Sequence, residues 1–264
     1  MTSHRDFFIS RIFITGSSDG LGLEAAKLLV ADGHSVTLHA RNQQRATDAR
    51  NALPQADSVV VGDVSSISDM RAVAEQVNAL GHFDAVIHNV GVGYRGGRIE
   101  TVDGLAQIFA VNVLAPYLLT VLIERPARLI YLSSGMHSGG EADLDDPQWK
   151  KRRWNGSQAY SDTKLFDLML AFGVARRWPS VFSNGVDPGW APTKMGGAGA
   201  PDDLVESAAT QAWLAVSDAP GAKVSGQLFY HKKTRRAKPD AYRVELQNKL
   251  FEYCAKVTGV FLPD

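Results

Sequence analysis

The chain has 264 residues, 45% hydrophobic and 21% charged, enough to bury one large globular core. Its 28 Lys and Arg balance 28 Asp and Glu, which excludes capture of nucleic acid or an anionic membrane by bulk charge. Cys254 is the only cysteine, so no disulfide forms within the chain, and no apolar run approaches the ~18 residues of a membrane-spanning helix.

The start, MTSHRDFFISRIFITGSSDG, holds an apolar patch too short and interrupted for a signal peptide, and a cytoplasmic location is expected. Residues 9–15 read as a buried strand, and 21–32 as a helix with Leu21, Ala25, Leu28 and Leu29 on one face. A strand at 35–40, a helix at 43–53, a strand at 58–61, a helix at 68–80 and a strand at 84–88 follow. A long helix is expected over 102–123, a strand over 128–133, a second long helix over 157–178 and a strand over 181–186. The last elements are a helix over 201–217, an edge strand at 226–230, a solvated basic loop at 232–236 and a terminal helix over 239–258. Continuous apolar strands such as AVIH and RLIYL fit burial on both faces. The repeated units predict an α/β fold: one doubly wound, Rossmann-type parallel sheet in a single domain, 1–264, with a short carboxy-terminal helical extension. Ligands of such sheets bind beyond the carboxyl ends of the strands.

Thr15-Gly16-Ser17-Ser18-Asp19-Gly20-Leu21-Gly22 lies between the first strand and the first helix. Glycines there allow positive φ and close approach of backbone to phosphate, and the helix amino-terminus offers free N–H groups to a pyrophosphate. Side chains at Gly16 or Gly22 are therefore expected to block cofactor without unfolding the chain. By itself the segment also fits a plain strand–helix turn. The second strand ends His39-Ala40-Arg41-Asn42, without the acid that would bind both ribose hydroxyls of NAD. Arg41 suits the 2′-phosphate of NADP, its alternative being a solvated residue at the helix start; Arg45 reads as solvated. Tyr160 and Lys164 stand four apart on a helix and share a face. A nearby ammonium and the positive charge of a bound nicotinamide favour the phenolate and are expected to lower the tyrosine's pKa from its usual value near 10. Alone, this pair also fits chance.

Taken together, these segments resemble the short-chain dehydrogenase/reductase family, whose glycine motif is TGxxxGxG. The resemblance runs in order from about Arg11 to Tyr230. Asp63-Val64 stands where the family contacts adenine, and Asn89-Val90-Gly91 matches its NNAG apart from His88 and Val90. Asn112, Ser134, Tyr160 and Lys164 match the catalytic positions, and Pro188-Gly189 with Thr193 match the PG…T element beside the cofactor. The resemblance implies an NADP cofactor held by Gly16, Ser18, Asp19, Gly20, Leu21, Gly22, Arg41, Asp63, Val64, Asn89, Gly91, Tyr160, Lys164, Pro188, Gly189 and Thr193. It implies carbonyl–alcohol interconversion on an apolar ketone or aldehyde. Tyr160 is then the acid/base, Ser134 steadies the oxygen, Lys164 tunes Tyr160 and holds the ribose, and Asn112 holds a water linked to Lys164. It also implies a homodimer through the two long helices, unless the terminal helix caps that face.

The stretch between Ser134 and Tyr160 is long, as in retinol dehydrogenase-like and antibiotic ketoreductase-like members. Trp149 and Trp154 there either line an apolar pocket or anchor the loop, Lys150–Arg153 read as solvated beside Asp143, Asp145 and Asp146, and His137 as a partly exposed loop residue. Residues 195–200, MGGAGA, read as a mobile lid, with a passive loop as the alternative. No His, Cys or Asp cluster has metal-ligand spacing. Two other classes fit the same fold: a non-catalytic NADP-sensing protein, and an epimerase or dehydratase using bound nicotinamide.

Overall fold

The computed structural model describes residues 9–263, so the first eight residues of the signal-peptide reading and the last residue of the 1–264 domain lie outside it. In chain order the elements are β1 (Arg11–Ile14), α1 (Gly20–Ala31), β2 (Ser35–Ala40), α2 (Gln43–Ala52), β3 (Ser58–Val61), α3 (Ile67–Ala79) and β4 (Ala85–His88). Then follow α4 (Gln107–Phe109), a π-helical turn (Ala110–Leu114), α5 (Ala115–Leu122), β5 (Arg128–Leu132), α6 (Gly156–Arg177) and β6 (Phe182–Val186). The chain closes with α7 (Leu204–Val216), β7 (Leu228–Tyr230), β8 (Lys233–Arg235) and α8 (Val244–Thr258).

The eight strands form one sheet in the order β3-β2-β1-β4-β5-β6-β7-β8, parallel throughout except for antiparallel β8. Alternation along the strands feeds two cores. Ile12, Ile14, Ile87, Ile130 and Leu132 pack with Leu23 and Leu29 of α1 and Leu214 of α7. Phe13, Val86, Leu129 and Tyr131 pack on the opposite face with Val73 of α3, Leu118 of α5, Leu168 of α6 and Phe251 of α8. The strand order reverses between β1 and β4, so the glycine segment after β1 and residues 89–91 after β4 share one crevice.

Five expectations differ. The helix foreseen from 102 begins at Gln107, because Thr101–Gly104 form a turn: the Thr101 hydroxyl accepts from the N–H groups of Asp103 and Leu105, Gly104 has φ 71°, and Val102 is 89% exposed. Gly226–Tyr230 is not the edge. The basic loop expected at 232–236 supplies β8, reached through His231 and Lys232 at φ 48° and 60°, the left-handed pair of a tight hairpin. Its charge suits a solvated edge, which like-charged side chains keep from pairing with another sheet. The expected helix from 201 starts at Leu204, and that from 239 opens with a 3₁₀ turn (Pro239–Tyr242) before α8.

Helix α8 lies on α6 and α5. Leu250, Phe251, Cys254 and Ala255 are buried there, and Gly173 lets Phe251 approach so closely that an added Cβ would lie 2.5 Å from its ring. Tyr117 Oη donates to Val260 O at 2.8 Å, and Trp178 Nε1 to Pro263 O at 2.8 Å. Residues 159–174 of α6 are buried within the single chain, between β5, β6, the flanking turns and α8. The face expected to pair two copies is the one that α8 covers.

Candidate active site

The glycine segment is braced from three sides. His39 accepts from Gly16 N at Nδ1 (3.0 Å), while its Nε2 is 2.9 Å from Gly62 O. Burial lowers the imidazole to about 4 and keeps it neutral, which that acceptor role requires. Ser17 Oγ donates to Ile14 O at 2.8 Å and accepts from His39 N at 2.8 Å. Asn89 Nδ2 donates to Thr15 O (2.9 Å) and Gly16 O (3.0 Å), while its Oδ1 is buried without a partner. Gly16 and Gly22 are also closely packed within the chain, so a side chain at either is expected to disturb folding as well as any phosphate contact. A Cβ at Gly16 would lie 2.8 Å from Val90 Cα, and one at Gly22 would lie 2.7 Å from Gly16 O and against the Asn89 amide. Both side chains would displace backbone before reaching any phosphate.

Gly20, at φ +56°, opens α1, and a Cβ there would meet the Thr193 methyl at 3.5 Å. Leu21 is half-buried against the α1–α7 core. Ser18 and Asp19 are engaged by Arg45, whose Nη2 donates to Ser18 Oγ at 3.1 Å and Asp19 Oδ2 at 2.5 Å, so Arg45 is a paired side chain rather than the solvated one expected. Lys194 adds a bond to Asp19 at 2.6 Å. Although burial raises the Asp19 carboxyl, Lys194 and Arg45 hold it below its usual value. Among the described residues, Arg41 is exposed and makes no hydrogen bond or ion pair. Asp63 is exposed and accepts from Ser65 N of its own loop at 3.0 Å, and Val64 is 3% exposed in the core. Pro188 leads into Gly189, at φ 82° with its N–H on Asp187 Oδ1 at 3.1 Å; Thr193 Oγ1 accepts from Gly196 N at 3.0 Å. The segment around 195–200 therefore reaches the glycine segment through Lys194 and Asp19.

At the reacting end, Tyr160 and Lys164 share the buried face of α6, the ammonium 5.7 Å from the ring centroid. Ser134 follows β5, half-buried, its Oγ accepting from Met136 N at 3.2 Å and near enough to the Tyr160 phenol to lower its pKa. Ser133 differs in role: its hydroxyl is spent on Lys164 O at 2.7 Å, tying β5 to α6. Asn112 sits in the π-helical turn, fully buried. Its Oδ1 accepts from Val92 N (2.8 Å), and its Nδ2 donates to Val92 O and Thr163 Oγ1 (both 3.1 Å). A Cβ at Gly91 would lie 3.6 Å from Asn112 Oδ1 and 3.7 Å from Lys164 Nζ, so the missing side chain leaves a polar recess between them. Lys164 Nζ donates to Leu132 O and to Asp167 Oδ2, both at 2.7 Å. Within the protein chain alone, the Tyr160 phenol stands above its usual value. Burial pushes the phenol up, and Lys164 and Ser134 pull it only part of the way back. His137, expected partly exposed, is buried with Nδ1 2.6 Å from Ser134 O.

A cavity of 370 Å³ opens beside Tyr160, lined by Val92, Tyr94, Ile99, Ile108, Trp154 and Met195 among others. The Tyr94 and Tyr160 rings stand 5.4 Å apart. The two tryptophans divide the two expected roles: Trp154 lines the cavity, and Trp149, 6% exposed, anchors the loop under Arg152 at 3.8 Å. Arg152 is drawn out of the basic run into pairs with Glu141, Asp143, Asp146 and Asp162. Among the described residues no cluster could hold a metal, and no helix is long and apolar enough to cross a membrane.

Asp167, His39, Ser17 and Tyr94 are parts of this site that sequence reasoning passed over. The signal for Asp167 was present: an acid inside the apolar run KLFDLML must find a partner when buried.

A nicotinamide dinucleotide fits these features: an orphan Asn89 oxygen, a helix amino-terminus whose Asp19 makes no side-chain cap, an unengaged Arg41 and the recess beside Gly91. The family described as short chain dehydrogenase matches residues 10–134. An uncharacterized oxidoreductase of Emericella nidulans is 45% identical over 96% of this chain and 98% of its own length. The short-chain dehydrogenase chyC of Penicillium rubens is 38% identical over 97% of this chain and 100% of its own. A crystal structure of an uncharacterized protein from Mycobacterium Paratuberculosis superposes with a TM-score of 0.80 at 24% identity, covering 97% and 95% of the two chains. With its fold, its ordered motifs and relatives alike over nearly their whole lengths, the chain belongs to the short-chain dehydrogenase family of oxidoreductases.

Proposed function

We propose that the protein is an NADP(H)-dependent reductase of an apolar ketone or aldehyde, with Tyr160 as proton donor. The observation that carries this reading is the grouping of Ser134, Tyr160 and Lys164, with Lys164 at the recess beside Gly91 and Tyr160 against Tyr94; Gly91 and Tyr94 both line the largely apolar cavity.

Asn89, Gly91, Lys164, Gly189, Thr193 and the amino end of α1 would hold the dinucleotide, which supplies the hydride when bound. Ser134 donates a hydrogen bond to the carbonyl oxygen as negative charge develops there. Tyr160, kept protonated by its burial, transfers its phenolic proton to that oxygen, and the Lys164 ammonium steadies the phenolate left behind. Asn112 fixes the loop at Val92, and thus the recess, through its two bonds to that residue. A phenol held up by burial favours reduction, where the tyrosine must arrive protonated.

Arg41 gives the cofactor preference, since it directly follows β2 and no other described residue engages its side chain. Rates with NADPH and NADH over a panel of aldehydes, ketones and quinones test both parts. Wild type is expected to prefer NADPH. Arg41→Ala should shrink that preference by roughly 10- to 150-fold, the worth of about 1.5–3 kcal/mol for a charge-assisted phosphate contact. A wild-type preference for NADH would contradict the assignment.

A further inference from the structure

Helix α6 carries a charged residue one turn beyond Lys164 that the reaction above does not use. Asp167 Oδ2 accepts from Lys164 Nζ at 2.7 Å, with the two side chains 3% and 5% exposed. On a solvated helix a lysine three residues before an acid adds little. Buried, the same pair is decisive, because removing one partner leaves an uncompensated charge. Among the described residues Lys164 is the only hydrogen-bond partner of Asp167, which caps no helix and holds no backbone N–H. Its polar business is with that ammonium alone.

The surroundings offer no substitute counter-charge. On β5, the Tyr131 phenol is pushed up by burial and stays neutral. Its hydroxyl meets Thr120 Oγ1 at 2.7 Å, which in turn meets His88 Nε2 on β4 at 2.9 Å. Burial lowers His88 to about 3, so it too is neutral. Across the recess, Asn112 is an amide, and on α6 itself Tyr160 faces the ammonium from the other side. Tyr94 lies beyond Tyr160, its ring centroid 5.4 Å away. Burial works against the Lys164 ammonium and Asp167 offsets it, while burial pushes the Asp167 carboxyl itself up to about 7 against the pull of Lys164, so each group depends on the other to stay charged.

We propose that Asp167 is a positioning residue: it holds Lys164 charged and fixes its Nζ between Leu132 O and the recess at Gly91, leaving the remaining N–H to face that recess. The inference rests on the roles given above to Lys164 and Tyr160.

Two measurements test it. The first is thermal unfolding of the cofactor-free protein for wild type, Asp167→Asn, Lys164→Met and the double variant. Each single change is expected to lower the melting temperature, and the double variant to recover part of the loss; strictly additive losses would overturn the pairing. The second is the pH profile of carbonyl reduction. In Asp167→Asn the buried ammonium is more easily lost, so the alkaline limb should move down by at least ~1 pH unit, with reduction at high pH falling by at least ~10-fold. Asp167→Glu, which keeps the charge, should restore the limb towards wild type. A uniform rate loss with unmoved limbs would show a merely structural role and overturn the proposal. If Asp167→Asn does not fold, the double variant still reports the pairing, since relieving the lone charge should restore folding. If wild type reduces no carbonyl, the proposed function has failed, and the unfolding cycle by itself decides whether Asp167 holds Lys164.

Discussion

At the scale of single residues, the cofactor end depends on a neutral histidine. His39 Nδ1 can accept from Gly16 N only while unprotonated, and burial holds the ring near 4 against 6.5 in an unfolded chain. As pH falls, the unfolded chain therefore takes up the proton first. The stability this group confers is present above about 6.5 and drains away towards 4, a loss of about 3 kcal/mol. His88, lowered to about 3, extends the loss further into acid. Urea midpoints measured from pH ~7 to ~4.5 should fall steeply in wild type and less steeply in His39→Leu. Equal slopes would place the acid sensitivity elsewhere. Nothing in the sequence marked His39, because a histidine closing an apolar strand reads as core; only the sheet order brings it to Gly16. Asn112 and Lys164 were legible, since an amide and an ammonium inside apolar helices need partners. What Asn112 does was not, for its bonds go to Val92 and Thr163 rather than visibly to Lys164.

At the scale of elements, the strands from β1 to β6 were legible from apolar runs of four to six residues separated by turns, because burial on both faces leaves few other patterns. Errors gathered where local turn chemistry overrides periodicity. Asp103-Gly104 is a turn signal that the apolar spacing of 102–123 masked. His231-Lys232 carries no such signal, yet both adopt left-handed backbone and return the chain as β8. Helix α8 has the largest consequence. Its apolar stripe was readable, but its docking face was not, because Gly173 in α6 reveals its purpose only when Phe251 is seen against it. With Leu250, Phe251 and Cys254 buried on α6, the chain covers its own helical face. Light scattering at micromolar concentration is expected to return a monomer. A dimer that persists on dilution would contradict that account of α8.

At the scale of the whole molecule, function follows from what the sheet topology assembles at one edge. The reversal of strand order between β1 and β4 puts the glycine segment beside Asn89 and Gly91. The parallel pairing of β4 with β5 sets Ser134 across from them, and α6, tied to β5 through Ser133, delivers Tyr160 and Lys164 to the same edge. The motifs were legible because each is local. The apolar cavity was not, since its wall draws on Tyr94, Ile108, Trp154 and Met195 from four separate segments. The account stands on Tyr160 as the proton donor, and the most direct test is the turnover of Tyr160→Phe with the best carbonyl substrate and NADPH. The ring and its packing against Ile108 and Trp149 are retained, so folding and cofactor binding should survive. Loss of the hydroxyl is expected to lower the rate by ~10²–10⁴. A Phe variant that folds, binds NADPH and turns over at nearly the wild-type rate would contradict it.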